Sequence, residues 1–163
     1  MQIKYILSTQ EKVNQMSNSL SPHIIAIVKS TGPALRQHGV AITTAMYARL
    51  FQDAEVKAMF DQAAQDSGEQ PRRLAAAILG YAENIDRLEV LGGAVARMVA
   101  RHVDTGVKPE HYPKVAAALL PAIRDVLGED VATDAVLAAW GEAYQFLADI
   151  LIAQEAEAYA AAA

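Results

Sequence analysis

Apolar residues recur along this chain at steps of three and four, the spacing that collects them on one face of a helix. No stretch shows the alternation of a strand. Ser21-Pro22 supplies a cap and a first-turn proline, and Ile24, Ile25, Ile27 and Val28 follow as a short amphipathic helix over residues 21–31. Gly32-Pro33 breaks and restarts it, and a longer helix runs from Pro33 to about Phe51 on Leu35, Ile42, Met46, Tyr47 and Leu50. Asp53 can cap a brief turn ending at Phe60, and the polar residues 61–69 are predicted to be a disordered loop. Gln70-Pro71 opens a helix to about Leu88 through Leu74, Ile78, Tyr81 and Ile85. The next helix carries Val95, Met98, Val99, His102 and Val103 to a stop at Gly106. Beyond Lys108-Pro109, a helix carries Tyr112, Val115, Leu119, Leu120, Ile123 and Leu127 to Gly128, with Pro121 predicted to kink it or free a carbonyl. The last begins near Thr133 and reaches at least Tyr159. The expected class is all-α, with six or seven helices.

Two polar residues stand on apolar stripes. His102 shares its face with Val95, Met98 and Val99. A neutral imidazole there is either a core histidine satisfied by a backbone carbonyl or a metal ligand, including the axial ligand of a haem iron. Glu155 follows Trp140, Tyr144, Leu147 and Leu151 at steps of three and four. A carboxylate on a buried stripe is costly unless it is paired or hydrogen-bonded; the alternative is a fraying helix end that lets it reach water.

Composition narrows the chemistry. At 163 residues the chain is one domain with a sizeable core. The net charge of −5, with no Lys/Arg cluster, argues against nucleic acid as a partner. There is no cysteine, which removes disulfides, thiolate catalysis, iron–sulfur clusters and Cys-ligated zinc together. His23, His38, His102 and His111 lack the paired spacing of a zinc helix, so a bound metal is expected to sit inside a cofactor held by one histidine. No uninterrupted apolar run reaches the length of a membrane span, and the apolar start is too short for a secretory signal; a cytoplasmic location is expected.

Residues 1–19 are expected to form a disordered extension ahead of a domain over residues 20–163. Gln10-Glu11 can be encoded as CAGGAG, a purine-rich ribosome-binding sequence ahead of Met16, so residues 1–15 are read as translated upstream sequence.

The segments ITTAMYARLF, FDQAAQDSGEQPRRL, YAENIDRL, ARHVDTGVKPEHYPKV, AIRDVLG and AWGEAYQFLADILIAQEAEAY occur in this order between Leu20 and Tyr159. In them the chain resembles the bacterial haemoglobins of the Vitreoscilla type and the globin domain of flavohaemoglobins. The resemblance implies a globin fold around one haem b. It makes His102 the proximal iron ligand, with Tyr112 and Glu155 completing a hydrogen-bonded triad that orients the imidazole and raises its donor strength. On the opposite face it places Tyr47, Phe60, Gln70 and Leu74, with the Tyr47 phenol offered to bound dioxygen, Phe60 wedging the haem and Leu74 limiting the space above it. Pro71 disfavours helical geometry at Gln70, which is expected to turn its side chain away. The chain departs from the Vitreoscilla pattern at the corner after Phe51, which is one residue shorter and lacks a proline, leaving Phe60 room to shift. At Pro121 that pattern has a glycine.

The implied function is reversible dioxygen binding for storage, delivery or scavenging. The alternative is nitric oxide dioxygenation. No flavin or nicotinamide site follows YAAAA, so an external flavin reductase using NAD(P)H is the expected electron donor. A haem-free helical adaptor is set aside, because the ligand and both supporting groups are present. The family also suggests a homodimer, although no helix stripe demands one.

Overall fold

The computed structural model describes residues 20–163. Both the proposed N-terminal extension and the Met16 start lie outside them. Ser21 accepts from the Ile24 N–H at 3.2 Å and Pro22 occupies the first turn, which together start α1 (Pro22–Ser30). The described residues continue through α2 (Gly32–Leu50), α3 (Ala54–Ala58), α4 (Gln62–Asp66), α5 (Glu69–Glu83), a 3-10 turn (Leu88–Leu91), α6 (Gly92–Thr105), α7 (His111–Leu127) and α8 (Asp134–Ala162). No strand occurs among them.

The helix count differs from the expected six or seven because the polar residues 61–69 are not a loop. Asp61 accepts from the backbone N–H groups of Ala63 and Ala64 and caps α4, and Gly68 then takes a left-handed φ of 77° to lead into α5. Five residues are too few to display a helical period. The shortened corner is also ordered. One Asp53 oxygen caps α3 through the Val56 N–H at 3.2 Å, and the other takes the Lys114 ammonium at 2.7 Å from α7. Pro121 lies inside α7 and the helix runs on past it to Leu127.

α2 packs on α5 and α7, while α8 packs on α1, α6 and α7, so α7 joins the two sets of helices. Gly39 allows the close approach of α2 to α5, since a Cβ there would stand 3.3 Å from that of Ala75. Val28, Ile42, Met46 and Ile85 are fully enclosed, each adding about 1.5–3 kcal/mol of burial. Polar links run through this core. Trp140 Nε1 donates to Thr31 Oγ1 at 3.1 Å, and Tyr81 Oη donates to the Ala143 carbonyl at 2.7 Å. One 18-residue stretch of α8 has a mean hydropathy of 1.3, long and apolar enough to cross a membrane by composition. Here Ala139, Trp140, Ala143, Ala148, Ile150 and Leu151 of that helix are buried against the rest of the protein.

Candidate functional site

α6 stops one turn after His102. Gly106 adopts φ 78°, its N–H bonds to the Val103 carbonyl at 3.2 Å, and the Val107 N–H closes on the His102 carbonyl at 2.9 Å. This helix end fixes the His102 backbone; two other helices fix its ring. His102 Nδ1 lies 2.9 Å from Glu155 Oε2 on α8 and 3.0 Å from Tyr112 Oη at the start of α7. Tyr112 Oη donates to the same carboxylate, 2.6 Å from Oε1 and 2.8 Å from Oε2. A carboxylate only accepts, so the imidazole proton belongs on Nδ1, and the lone pair is left on Nε2. Glu155 is 3% exposed, which settles the choice left open by its periodicity: the helix end does not fray, and the carboxylate is buried and doubly hydrogen-bonded. Burial, and then the hydrogen bond to Glu155, push the Tyr112 phenol well above its ordinary pKa and keep it a donor.

His102 and Tyr112 also line a cleft of about 1120 Å³ that includes its open mouth. Met46, Tyr47 and Leu50 of α2, Gln70, Leu74 and Ile78 of α5, and Tyr144, Leu147 and Leu151 of α8 complete most of its wall. The lining is almost wholly apolar, with a few polar groups converging on it, as in a cofactor site. Phe60 lines it too and has not shifted away. Its ring centroid is 5.4 Å from that of Tyr47 and 5.3 Å from that of Phe51, and Tyr47 and Phe51 are 5.3 Å apart. Gln70 departs from expectation. Pro71 falls in the first turn of α5, where its missing N–H had no helical partner to lose, and Gln70 remains helical. Its amide turns inward and donates to Tyr47 Oη at 3.2 Å. Every residue singled out in the sequence (Tyr47, Phe60, Gln70, Leu74, His102 and Tyr112) therefore lines one cavity, with Glu155 directly behind the histidine.

Sequence reasoning missed three contributors. Tyr144 Oη donates to the Tyr112 carbonyl at 2.7 Å, and Tyr159 Oη donates to the Val107 carbonyl at 2.7 Å, so α8 holds the loop between α6 and α7 at both ends. His111, 8% exposed on the cavity wall, accepts the Lys108 N–H on Nδ1 at 2.9 Å, which makes its Nε2 a donor. Contacts to backbone carbonyls leave no periodic trace, so the tyrosines had no signal beyond their stripe.

Burial raises the phenol pKa of Tyr81 and Tyr144 as well as that of Tyr112. An unfolded phenol loses its proton near pH 10, before these folded ones do, so the unfolded chain binds fewer protons above that point. Their contribution to stability should be complete below about pH 10 and fall as pH rises further. Urea midpoints followed by helical circular dichroism check this: a midpoint flat to pH 10 and then declining is the expected result.

Residues 43–151 match the family model described as Globin. The flavohemoprotein of Xylella fastidiosa is 55% identical over 141 residues, which is 86% of this chain and 35% of that protein. The chain thus spans about a third of the length of this relative. Among solved structures, an engineered carbene transferase is superimposed with a TM-score of 0.81 at 41% identity, covering 88% of this chain and 98% of the other; its Rhodothermus marinus source carries a provisional assignment as nitric oxide dioxygenase. The flavohemoglobin of Malassezia yamatoensis, solved with bound FAD and haem, gives a TM-score of 0.79 at 30% identity, over 86% of this chain and 38% of that one. By the family match and by likeness along almost the whole of a solved structure, the chain belongs to the globin family.

Proposed function

We propose that this chain is a haem b globin whose primary activity is reversible dioxygen binding, with His102 as the iron ligand. The observation that carries the reading is the His102 ring: Nδ1 is engaged by Glu155 and Tyr112, leaving Nε2 as a free lone pair on the wall of a deep apolar cleft. The donor set fits the group. One neutral imidazole suits iron, the apolar wall suits a porphyrin, and Phe60 and Leu74 supply flat and branched surfaces to pack on it. When bound, haem iron supplies reversible binding of a diatomic ligand. Around it, Glu155 and Tyr112 hold the imidazole in one tautomer and orientation, and the carboxylate raises its donor strength. Tyr47 carries the protein's own donor into the cleft. Its oxygen already accepts from Gln70, and burial raises its pKa, so the phenol keeps a proton to give.

The same residues support a second reading, nitric oxide dioxygenation, which is favoured by the strongly accepting Glu155 behind the ligand and by the flavohemoprotein relatives. Conversion of one nitric oxide and one dioxygen to nitrate consumes one electron, which a flavin reductase using NAD(P)H supplies. A homodimer in the cytoplasm is part of the same proposal.

The test is the absorption spectrum of the purified chain after haem addition, followed by dioxygen titration of the reduced form. A haem band with reversible oxygen-dependent changes supports the reading, and a chain that takes up no haem overturns it. Nitrate formed per haem, with and without added reductase, separates the two activities. Tyr47→Phe should remove a hydrogen bond worth about 1–1.5 kcal/mol, or roughly tenfold in dioxygen dissociation rate. Carbon monoxide is less polarised and should respond less; equal effects on both ligands would point to altered packing.

A further inference from the structure

Thr43 is 0% exposed, the most deeply buried of the polar side chains enclosed among the described residues. Its neighbour Thr44, of the same type, faces solvent. The Thr43 hydroxyl has one proton and two acceptors in reach: the Pro71 carbonyl of α5 at 2.8 Å and the Val40 carbonyl of its own helix at 3.2 Å. A threonine inside a helix ordinarily bonds back to its own preceding turn. Here the shorter bond leaves the helix and crosses to α5.

Three successive turns of α2 carry Gly39, Thr43 and Tyr47 on one stripe, and they meet α5 in reverse order. Gly39 stands against Ala75, Thr43 donates to the Pro71 carbonyl, and Tyr47 accepts from Gln70. The first contact lets the helices approach but does little to fix their offset along the axis, because apolar contact has no direction. The third, at 3.2 Å, is at the long end of the N–H···O range, so a displacement of a few tenths of an ångström weakens it sharply. Between them the Thr43 bond is short and directional, and it grips the residue next to Gln70.

We propose that Thr43 is a positioning residue for the ligand side of the cleft: its hydroxyl fixes the register of α5 on α2, which holds Gln70 on the Tyr47 oxygen and Leu74, one turn further along α5, at the cleft wall. A phenol whose oxygen is held by Gln70 keeps its proton directed at a polar ligand, whereas a released phenol rotates. The same role accounts for a hydroxyl in this apolar seam. Valine has nearly the same shape and no polar atom to desolvate, but it offers α5 no directional hold. The consequence for the ligand rests on the haem globin reading; the hold on the Tyr47 phenol does not.

The test compares the native chain with Thr43→Val, which keeps the shape and removes the donor, and Thr43→Ser, which keeps the donor and removes a methyl group. The first readout is the ring carbon bearing the hydroxyl, in protein labelled with 13C-tyrosine and with the Tyr47 signal identified by Tyr47→Phe. Thr43→Val should move this signal towards its position in Gln70→Leu, with or without haem bound, and Thr43→Ser should leave it in place. The second is ligand dissociation from the haem-loaded protein. Thr43→Val should speed dioxygen release severalfold and carbon monoxide release less, with native rates in Thr43→Ser. In the Tyr47→Phe background Thr43→Val should add little to the rate. A Tyr47 signal unmoved by Thr43→Val, or moved as far by Thr43→Ser, overturns the proposal, as does an equal effect of Thr43→Val in the Tyr47→Phe background. If Thr43→Val does not fold, Thr43→Ser decides: a native Tyr47 signal and native dioxygen release uphold the proposal, and altered ones overturn it. A signal shifted by Thr43→Val in a chain that takes up no haem upholds the coupling and overturns the haem reading instead.

Discussion

His102→Ala yields a folded protein that retains little haem. Among the described residues, the His102 imidazole is the side chain in the cleft that leaves a nitrogen lone pair open while its other nitrogen is held in place. Removing a group that merely supports a metal ligand costs about 10–100-fold in affinity, and losing the ligand itself costs more. Folding should survive, because Tyr112 and Glu155 keep their hydrogen bonds to each other when the ring is gone. The space vacated gives a direct control: free imidazole added at millimolar concentration should enter it and restore the haem band. Haem content per chain and helical circular dichroism are the measurements. Native haem content with an unchanged ferrous spectrum would remove His102 from the iron.

The second large effect is expected at Glu155, and it separates holding the cofactor from tuning it. Glu155→Gln keeps the size of the side chain and one acceptor oxygen, so His102 and Tyr112 both still find partners, but the negative charge behind the imidazole is lost. A weaker donor stabilises ferric iron less, so the reduction potential rises. Dioxygen affinity should stay within a few-fold of native, whereas nitrate formation with a reductase present should fall by about 10–100-fold, the usual consequence of removing such a supporting group. The Tyr112 phenol, held up in part by that charge, should ionise more readily. If potential and turnover both match the native protein, the carboxylate serves only to satisfy two buried donors.

How much of this was legible depends on the length of the interaction along the chain. His102 and Glu155 announced themselves because each breaks a long apolar stripe, and α6 and α8 are long enough for the stripe to be unambiguous. That they meet is a property of how α6 packs on α8, 53 residues apart in sequence, and only family likeness anticipated it. The region between Phe60 and Gln70 was misread because α4 spans a single turn and is specified by one cap, Asp61, rather than by period. Gln70 was misjudged for a related reason: the rule about residues before proline weakens in the first turn of a helix, where α5 places it. Tyr144 and Tyr159 act through single polar atoms aimed at backbone carbonyls, and a hydrophobic pattern carries no record of aim.

The separation of His102 from Glu155 sets an order of events during biosynthesis. At about 5–20 residues per second, the carboxylate is polymerised roughly 3–10 s after the histidine it orients. Throughout that interval a nascent chain can display the imidazole with neither its tautomer nor its angle fixed, and with the α8 wall of the cleft missing. Cofactor captured then would sit on an unsupported ligand. Stable loading therefore belongs after the turn of α8 around Glu155 has emerged and docked, which makes insertion of the pigment a step that follows translation of the domain.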